Sequence, residues 1–232
     1  AARLPSGTPS YGLRMRITVG SLKGGVAKTT TSVHLALALA QSGRTLLVDA
    51  DPEQASAFRW SERVGEHWPE GCVVAPLASR DLARRVVQMA VDYEHVVIDT
   101  GPKNPAMLRS AMTVSDLLLV PCAPRPLDLE ELPATFELAA EVDVTHPLHA
   151  AVLLVMVRGG TRAAAEARAM VTEDLGLPLL DTVTHLRESY SLAYGTVPDP
   201  AEYAAVLAEL SQTDTPSSAP SPTTGAAEKG TS

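Results

Sequence analysis

The sequence predicts an α/β fold, a doubly wound, mostly parallel sheet with helices on both faces. Three observations carry this expectation. Short apolar runs at 17–19, 45–48, 72–75, 95–98, 116–120, 150–157 and 179–183 alternate with longer segments of helical period, and strands buried on both faces read as continuous apolar runs. Of the 232 residues 45% are hydrophobic but only 4% aromatic, so Ala, Val and Leu must build the core, as expected where helices cover a parallel sheet. Finally, the first strand leads through a Gly-Gly loop with a lysine on either side into the first helix, where a phosphate-binding loop belongs.

That loop joins the strand at 17–19 to a helix over 29–40. Gly24 and Gly25 let the backbone turn so that the N–H groups of Gly24, Gly25, Val26 and Ala27 face phosphate oxygens, and the helix dipole adds positive potential. Lys28 reaches the β- and γ-phosphates. Thr29 and Thr30 open the helix, and the Thr29 hydroxyl suits Mg²⁺, a hard cation that keeps most of its waters. The strict Walker A pattern is broken, because its two glycine positions hold Leu22 and Ala27, while an additional lysine, Lys23, precedes the glycine pair. A Gly-Gly turn that merely joins a strand to a helix is the plain alternative.

The loop resembles the deviant Walker A motif of the ParA and MinD family of ATPases. The resemblance implies that Lys23 acts in trans, reaching the nucleotide of a second subunit, so that two ATP molecules lie between two chains of a homodimer, with higher polymers as an extension of it. The family carries glycine where this chain has Ala27, whose methyl restricts the backbone.

The remaining elements follow in order. Residues 1–14 are rich in Pro, Gly and Ser, and Met15 stands just before the first strand, so 1–14 reads as a flexible extension or tag. The helix over 29–40 stops at Ser42 and Gly43. The strand at 45–48 ends in Asp49-Ala50-Asp51-Pro52, which puts two carboxylates at the sheet edge where α/β folds bind ligands. By resemblance, Asp51 positions the attacking water and Asp49 helps to hold the Mg²⁺ hydration shell; alternatively Asp51 caps the helix beginning near Pro52. Glu53 replaces the glutamine usual after this proline. The helix over 53–64 carries Phe58 and Trp60, as core or interface. After the strand at 72–75, Arg80, Arg84 and Arg85 share a helix; Arg84 and Arg85 are DNA-contact candidates, with a solvated face as the alternative.

The strand at 95–98 ends in Asp99-Thr100-Gly101-Pro102 and resembles Walker B, with Asp99 holding a metal-bound water; Gly101 departs from the family's Asp-x-Pro-Pro. The strand at 116–120 runs into a proline-punctuated loop over 121–128. Asp92-Tyr93, the Asp99 strand end, the 114–117 segment, Val120-Pro121 and Pro126-Leu127-Asp128 resemble the small plasmid partition ATPases of the ParF type. A helix over 129–142 and a strand at 150–157 follow, and Arg158 stands where the resemblance implies contact with the adenine base. Then come a helix over 161–175, a strand at 179–183, the segment from Arg187 to Gly195, and a helix over 200–210. By resemblance Arg187 contacts DNA; a surface salt bridge is the alternative. Residues 211–232 are mostly Ser, Thr, Pro, Gly and Ala with almost no large apolar residue, the composition of a disordered tail. The domain is therefore expected over 15–210.

Composition narrows the classes. Cys72 and Cys122 lie in separate apolar runs, which gives no support to a disulfide framework or zinc site. No run approaches the roughly 20 apolar residues of a membrane span, so a cytoplasmic protein is expected, and the resemblance implies nucleoid association. The formal charge of −8 argues against a surface that coats nucleic acid generally, but allows a local basic patch. With the resemblance, the expected function is a partition ATPase for a plasmid or chromosome. Its ATP-bound dimer would bind nonspecific double-stranded DNA, and a centromere-binding, ParB-type partner would stimulate slow hydrolysis. The alternatives are an ATPase that positions a protein cargo and a metabolic ligase of the same superfamily.

Overall fold

The computed structural model describes residues 14–213. The expected N-terminal extension before residue 14 and the tail after 213 lie outside the described residues. One sheet organises the chain. Its strands are β1 (Arg16–Val19), β2 (Thr45–Ala50), β3 (Cys72–Pro76), β4 (His95–Thr100), β5 (Leu117–Cys122) and β6 (His149–Leu154). All pairings are parallel, in the order β3-β2-β4-β1-β5-β6. Helices α1 (Lys28–Leu39), α2 (Ser56–Val64) and α9 (Glu202–Thr213) bury their apolar sides, with Ile17, Val19, Leu47, Val97 and Leu119, on one face of the sheet. Helices α3 (Leu82–Met89), α4 (Pro105–Met112) and α6 (Leu132–Asp143) cover the other, over Leu46, Val48, Ile98, Leu118 and Val120. The alternation of strand side chains between two buried faces explains the continuous apolar runs.

Register decides what meets at the carboxyl edge. Val19 of β1 is paired with Asp99 of β4, and Asp99 is paired with Asp49 of β2. The phosphate loop and both strand-end carboxylates therefore emerge side by side. Near the centre β1 lies between β4 and β5, where crossovers leave the sheet in opposite directions and ligand crevices form.

Several expected elements are corrected. The run at 179–183 is not a strand: it contributes one bridge, Leu179 to Val152. Its Asp181 and Thr182 amides donate instead to the Glu209 carboxylate of α9, at 2.6 and 2.9 Å. The strand expected over 150–157 ends at Leu154, and Met156 adopts a left-handed φ of 55° that no ladder accommodates. Helix α2 starts at Ser56 rather than 53, because Ala55 is left-handed (φ 44°) and the Asp51 carboxylate ties the preceding turn. The helix expected over 161–175 is α-helical only in α7 (Arg162–Ala169) and continues as a π-turn over Met170–Asp174. The loop expected over 121–128 contains the start of a short α5 (Pro126–Leu129), with Pro126 at its first position. Helix α4 has no counterpart in the expected elements, although Asn104 caps it by accepting from the Met107 amide and Pro105 opens it. Helix α9 runs on to Thr213. Cys72 and Cys122 are buried and free, with burial pushing each thiol up to about 12. Among the described residues no helix is long and apolar enough to cross a membrane.

Candidate functional site

The loop after β1 is shaped as a cradle. Gly25 (φ 74°) and Ala27 (φ 56°) are both left-handed, a bend that turns successive amides to one side. Among the described residues, the N–H groups of Gly24, Gly25, Val26 and Ala27 have no acceptor, and α1 begins at Lys28 with its own first-turn donors unsatisfied by the helix. Such a row of donors fits a polyphosphate. Lys28 lies in this cradle, 7% exposed, and its Nζ donates to the Lys23 carbonyl at 2.6 Å. Burial lowers its pKa, against the raising effect of Asp99 and Asp51.

Asp99 is fully buried at the end of β4. The Thr29 hydroxyl donates to its Oδ2 at 2.7 Å and the Ser32 hydroxyl to its Oδ1 at 2.9 Å. Burial nonetheless pushes the carboxyl up to about 7, helped by Asp49 beside it. A carboxylate pair of this kind, with a threonine hydroxyl at hand, fits Mg²⁺, whose charge would offset the desolvation of Asp99. Asp49 has a second occupation. Its Oδ1 accepts from the Asp51 amide at 3.1 Å and its Oδ2 from the Phe58 amide at 2.9 Å. Asp49 thus caps α2, where sequence reasoning had placed Asp51 as the alternative cap, and burial raises its pKa. Each oxygen keeps a further lone pair, so Asp49 can still face a metal or the metal's hydration waters. Asp51 is half-buried, with Oδ1 held by the Glu53 and Gln54 amides at 2.9 and 3.1 Å.

Lys23 does not face the cradle alone. Its Nζ lies 3.6 Å from Oδ1 of Asp128, which is 7% exposed, and among the described residues Asp128 Oδ2 is a buried side-chain oxygen with no hydrogen-bond partner. Asp128 was legible only as part of the Pro126-Leu127-Asp128 match, and nothing local marks it as a partner for Lys23.

Beside the cradle lies a cavity of about 420 Å³, walled by Ala27 and Thr30, by Trp60 of α2, by Met156 after β6, and by Tyr190 and Tyr203. An apolar, aromatic-walled space next to a phosphate loop suits a nucleoside. Arg158, expected against the adenine base, is exposed and is not among the residues that line this cavity; the left-handed turn at Met156 lies just before it. The residue that does line it is Arg187. Its guanidinium is held by Glu202, with Nε at 3.1 Å and Nη2 at 2.6 Å. Glu202 also accepts from His185 and from Tyr190. Burial raises the Glu202 pKa, but these bonds outweigh it and hold the carboxyl down at about 2. Nothing in the sequence around Glu202 signals this role.

The other DNA candidates, Arg84 and Arg85, are exposed on α3, and both pair with Asp81 one turn away. All three candidates therefore carry a carboxylate partner, Arg187 as its salt-bridge alternative required and Arg84 and Arg85 on the exposed face that was theirs. Exposed pairs of this type contribute only about 0–1 kcal/mol, so a phosphate can compete for Arg84 and Arg85.

Comparison with known proteins adds a family, a relative and two solved structures. A family model described as VirC1 protein matches residues 15–195. The chain is 31% identical over 183 residues to the maintenance of carboxysome distribution protein A of Halothiobacillus neapolitanus, covering 75% of this chain and 81% of that protein. Among solved structures, it resembles a putative plasmid partition protein from Borrelia burgdorferi B31 bound to AMPPNP, with a TM-score of 0.69 and 16% identity over 85% of this chain and 98% of the other. It also resembles cobyrinic acid a,c-diamide synthase from Mycobacterium smegmatis with a bound ATP analogue and magnesium, with a TM-score of 0.65 and 23% identity over 83% and 93% of the two chains. At these identities the two structures show a shared fold.

Proposed function

Since the chain belongs to the VirC1 protein family and, with it, to the ParA/MinD group of deviant Walker A ATPases, we propose that it is an ATP- and Mg²⁺-dependent switch for DNA partition. One observation carries the reading: the acceptor-less amides of 24–27, Lys28 and three strand-end carboxylates converge on one crevice beside an aromatic-walled cavity. The amides and Lys28 would hold the phosphates, with Thr30 and the Tyr190 and Tyr203 walls toward the nucleoside. Thr29 and Asp99 would hold Mg²⁺, with Asp49 behind its waters. The metal supplies charge neutralisation to the transferred phosphoryl group. Asp51 orients the attacking water.

Lys23 would leave Asp128 to reach the nucleotide of a second subunit, which makes dimerisation depend on ATP. The dimer then binds duplex DNA through phosphates, at Arg84 and Arg85 and, if Glu202 releases it, at Arg187. A centromere-binding partner completes the charge stabilisation and so accelerates an otherwise slow hydrolysis. The 31% identical relative is named for carboxysome distribution, which favours a second reading: the same switch positioning a protein cargo.

Binding to random-sequence duplex DNA, with ATP, with ADP and without nucleotide, tests the reading. Binding is expected only with ATP, with little sequence preference, and should weaken steeply as salt rises because phosphate contacts release counterions. An ATP-induced dimer that binds no DNA in any state would overturn partition and leave the cargo reading.

A further inference from the structure

The loop after β4 departs from the family pattern at Gly101, and the backbone does not explain why. Gly101 is buried and is not among the residues with positive φ, so an alanine could adopt its conformation. What excludes a side chain is Asp51. A Cβ built on Gly101 would lie 2.9 Å from Asp51 Cγ, 3.0 Å from Oδ1 and 3.1 Å from Oδ2. No backbone atom is among the three nearest atoms it would meet. We propose that Gly101 is a positioning residue for Asp51: its missing side chain is the seat of the carboxylate that orients the attacking water.

The physical consequence is specific. When an added methyl meets the end of a side chain, the side chain yields before the backbone does. Here the backbone has reason to stay, because β4 is laddered on both sides and the Lys103 amide donates to the Leu22 carbonyl at 3.0 Å, tying this loop to the phosphate loop. The carboxylate would instead be driven off the Glu53 and Gln54 amides that fix Oδ1. Oδ2, which among the described residues accepts no hydrogen bond, would move with it. Small displacements of a water-orienting group lower the chemical step without weakening nucleotide binding.

The inference rests on the reading of Asp51 as the water-orienting residue, and a double-mutant cycle separates the two. Wild type, Gly101→Ala, Asp51→Ala and the double variant are compared for kcat and KM with Mg-ATP, and for melting temperature without nucleotide. Gly101→Ala is expected to lower kcat at least tenfold with KM within twofold. In the Asp51→Ala background it should lower kcat no further. The melting temperature should fall on Gly101→Ala in the wild-type background but not in Asp51→Ala, where the obstructing carboxylate is gone. An unchanged kcat for Gly101→Ala, or equal losses in both backgrounds, overturns the positioning role while Asp51 keeps its own. Full turnover by Asp51→Ala overturns the reading of Asp51, and the melting temperatures then still report whether the two residues compete for one space.

Discussion

Ala27 departs from the glycine of related loops, and the structure explains what that departure costs. Its φ of 56° and ψ of 29° at the N-cap of α1 are left-handed, a conformation that costs an L-residue roughly 1–2 kcal/mol. Glycine would avoid that strain but lose roughly 0.5–1 kcal/mol through the greater freedom of the unfolded chain. Ala27→Gly is therefore expected to gain up to about 1.5 kcal/mol and to raise the melting temperature, with ATP affinity equal or higher because the cradle amides are retained. A lower melting temperature would mean that the methyl packs usefully; Ala27 does touch the core cluster under α1. The substitution itself was legible in the sequence. The strain was not, because φ is set by where the β1 and α1 ends are held.

Elements add constraints that no single residue carries. In α1, His34 is buried against Trp60, Tyr190 and Tyr203, and its Nδ1–H donates to the Thr30 carbonyl at 2.7 Å. Burial lowers its pKa below 6.5, against the raising effects of that bond and of Asp199. A histidine kept neutral by folding takes up a proton more readily when unfolded. Its contribution to stability is thus complete above pH 6.5 and is lost as pH falls below it. The buried Asp99, raised to about 7, titrates in the opposite sense, so the difference between two proteins is the useful readout. Relative to His34→Phe, wild type should lose stability between pH 7 and 5.5, by at most about 1.4 kcal/mol per pH unit. Parallel urea-midpoint curves would remove the assignment. At this level the sequence located all six strands, because a buried parallel strand needs only a short apolar run. It promoted 179–183 to a seventh, because the same run also suits an edge segment whose amides are taken by Glu209.

Across the molecule, the loop after β5 reaches back to the loop after β1: Lys23 lies 3.6 Å from Asp128, more than a hundred residues away in the chain. Removing the lysine would leave the buried Asp128 carboxylate with only the longer contact to exposed Arg125, 3.8 Å from its Oδ2, at a cost of about 1–3 kcal/mol. Lys23→Ala is accordingly expected to melt lower than wild type, and Lys23→Ala with Asp128→Asn to recover much of the loss. Neither should dimerise with ATP, although both should bind it, because Lys28 and the cradle amides are intact. ATP-dependent dimers of either variant in light scattering would remove the trans role of Lys23. The recovery expected from Asp128→Asn separates a folding defect from a dimerisation defect.

The alternating architecture, the phosphate loop with its displaced lysine, and the strand ends bearing Asp49, Asp51 and Asp99 are legible in the amino-acid order alone. Each is written in a contiguous stretch, where periodicity, glycine and side-chain chemistry act over a few residues. What those groups do to one another is set by folding. The β2–β4 register sets Asp49 beside Asp99, the start of α2 claims Asp49 as its cap, and Glu202 draws Arg187 to the cavity wall. Gly101 makes room for Asp51 in the same way. These relations join different elements, from nine residues apart for Asp49 and Phe58 to fifty for Asp49 and Asp99, and they follow from register, burial and excluded volume, which exist only once the sheet has formed.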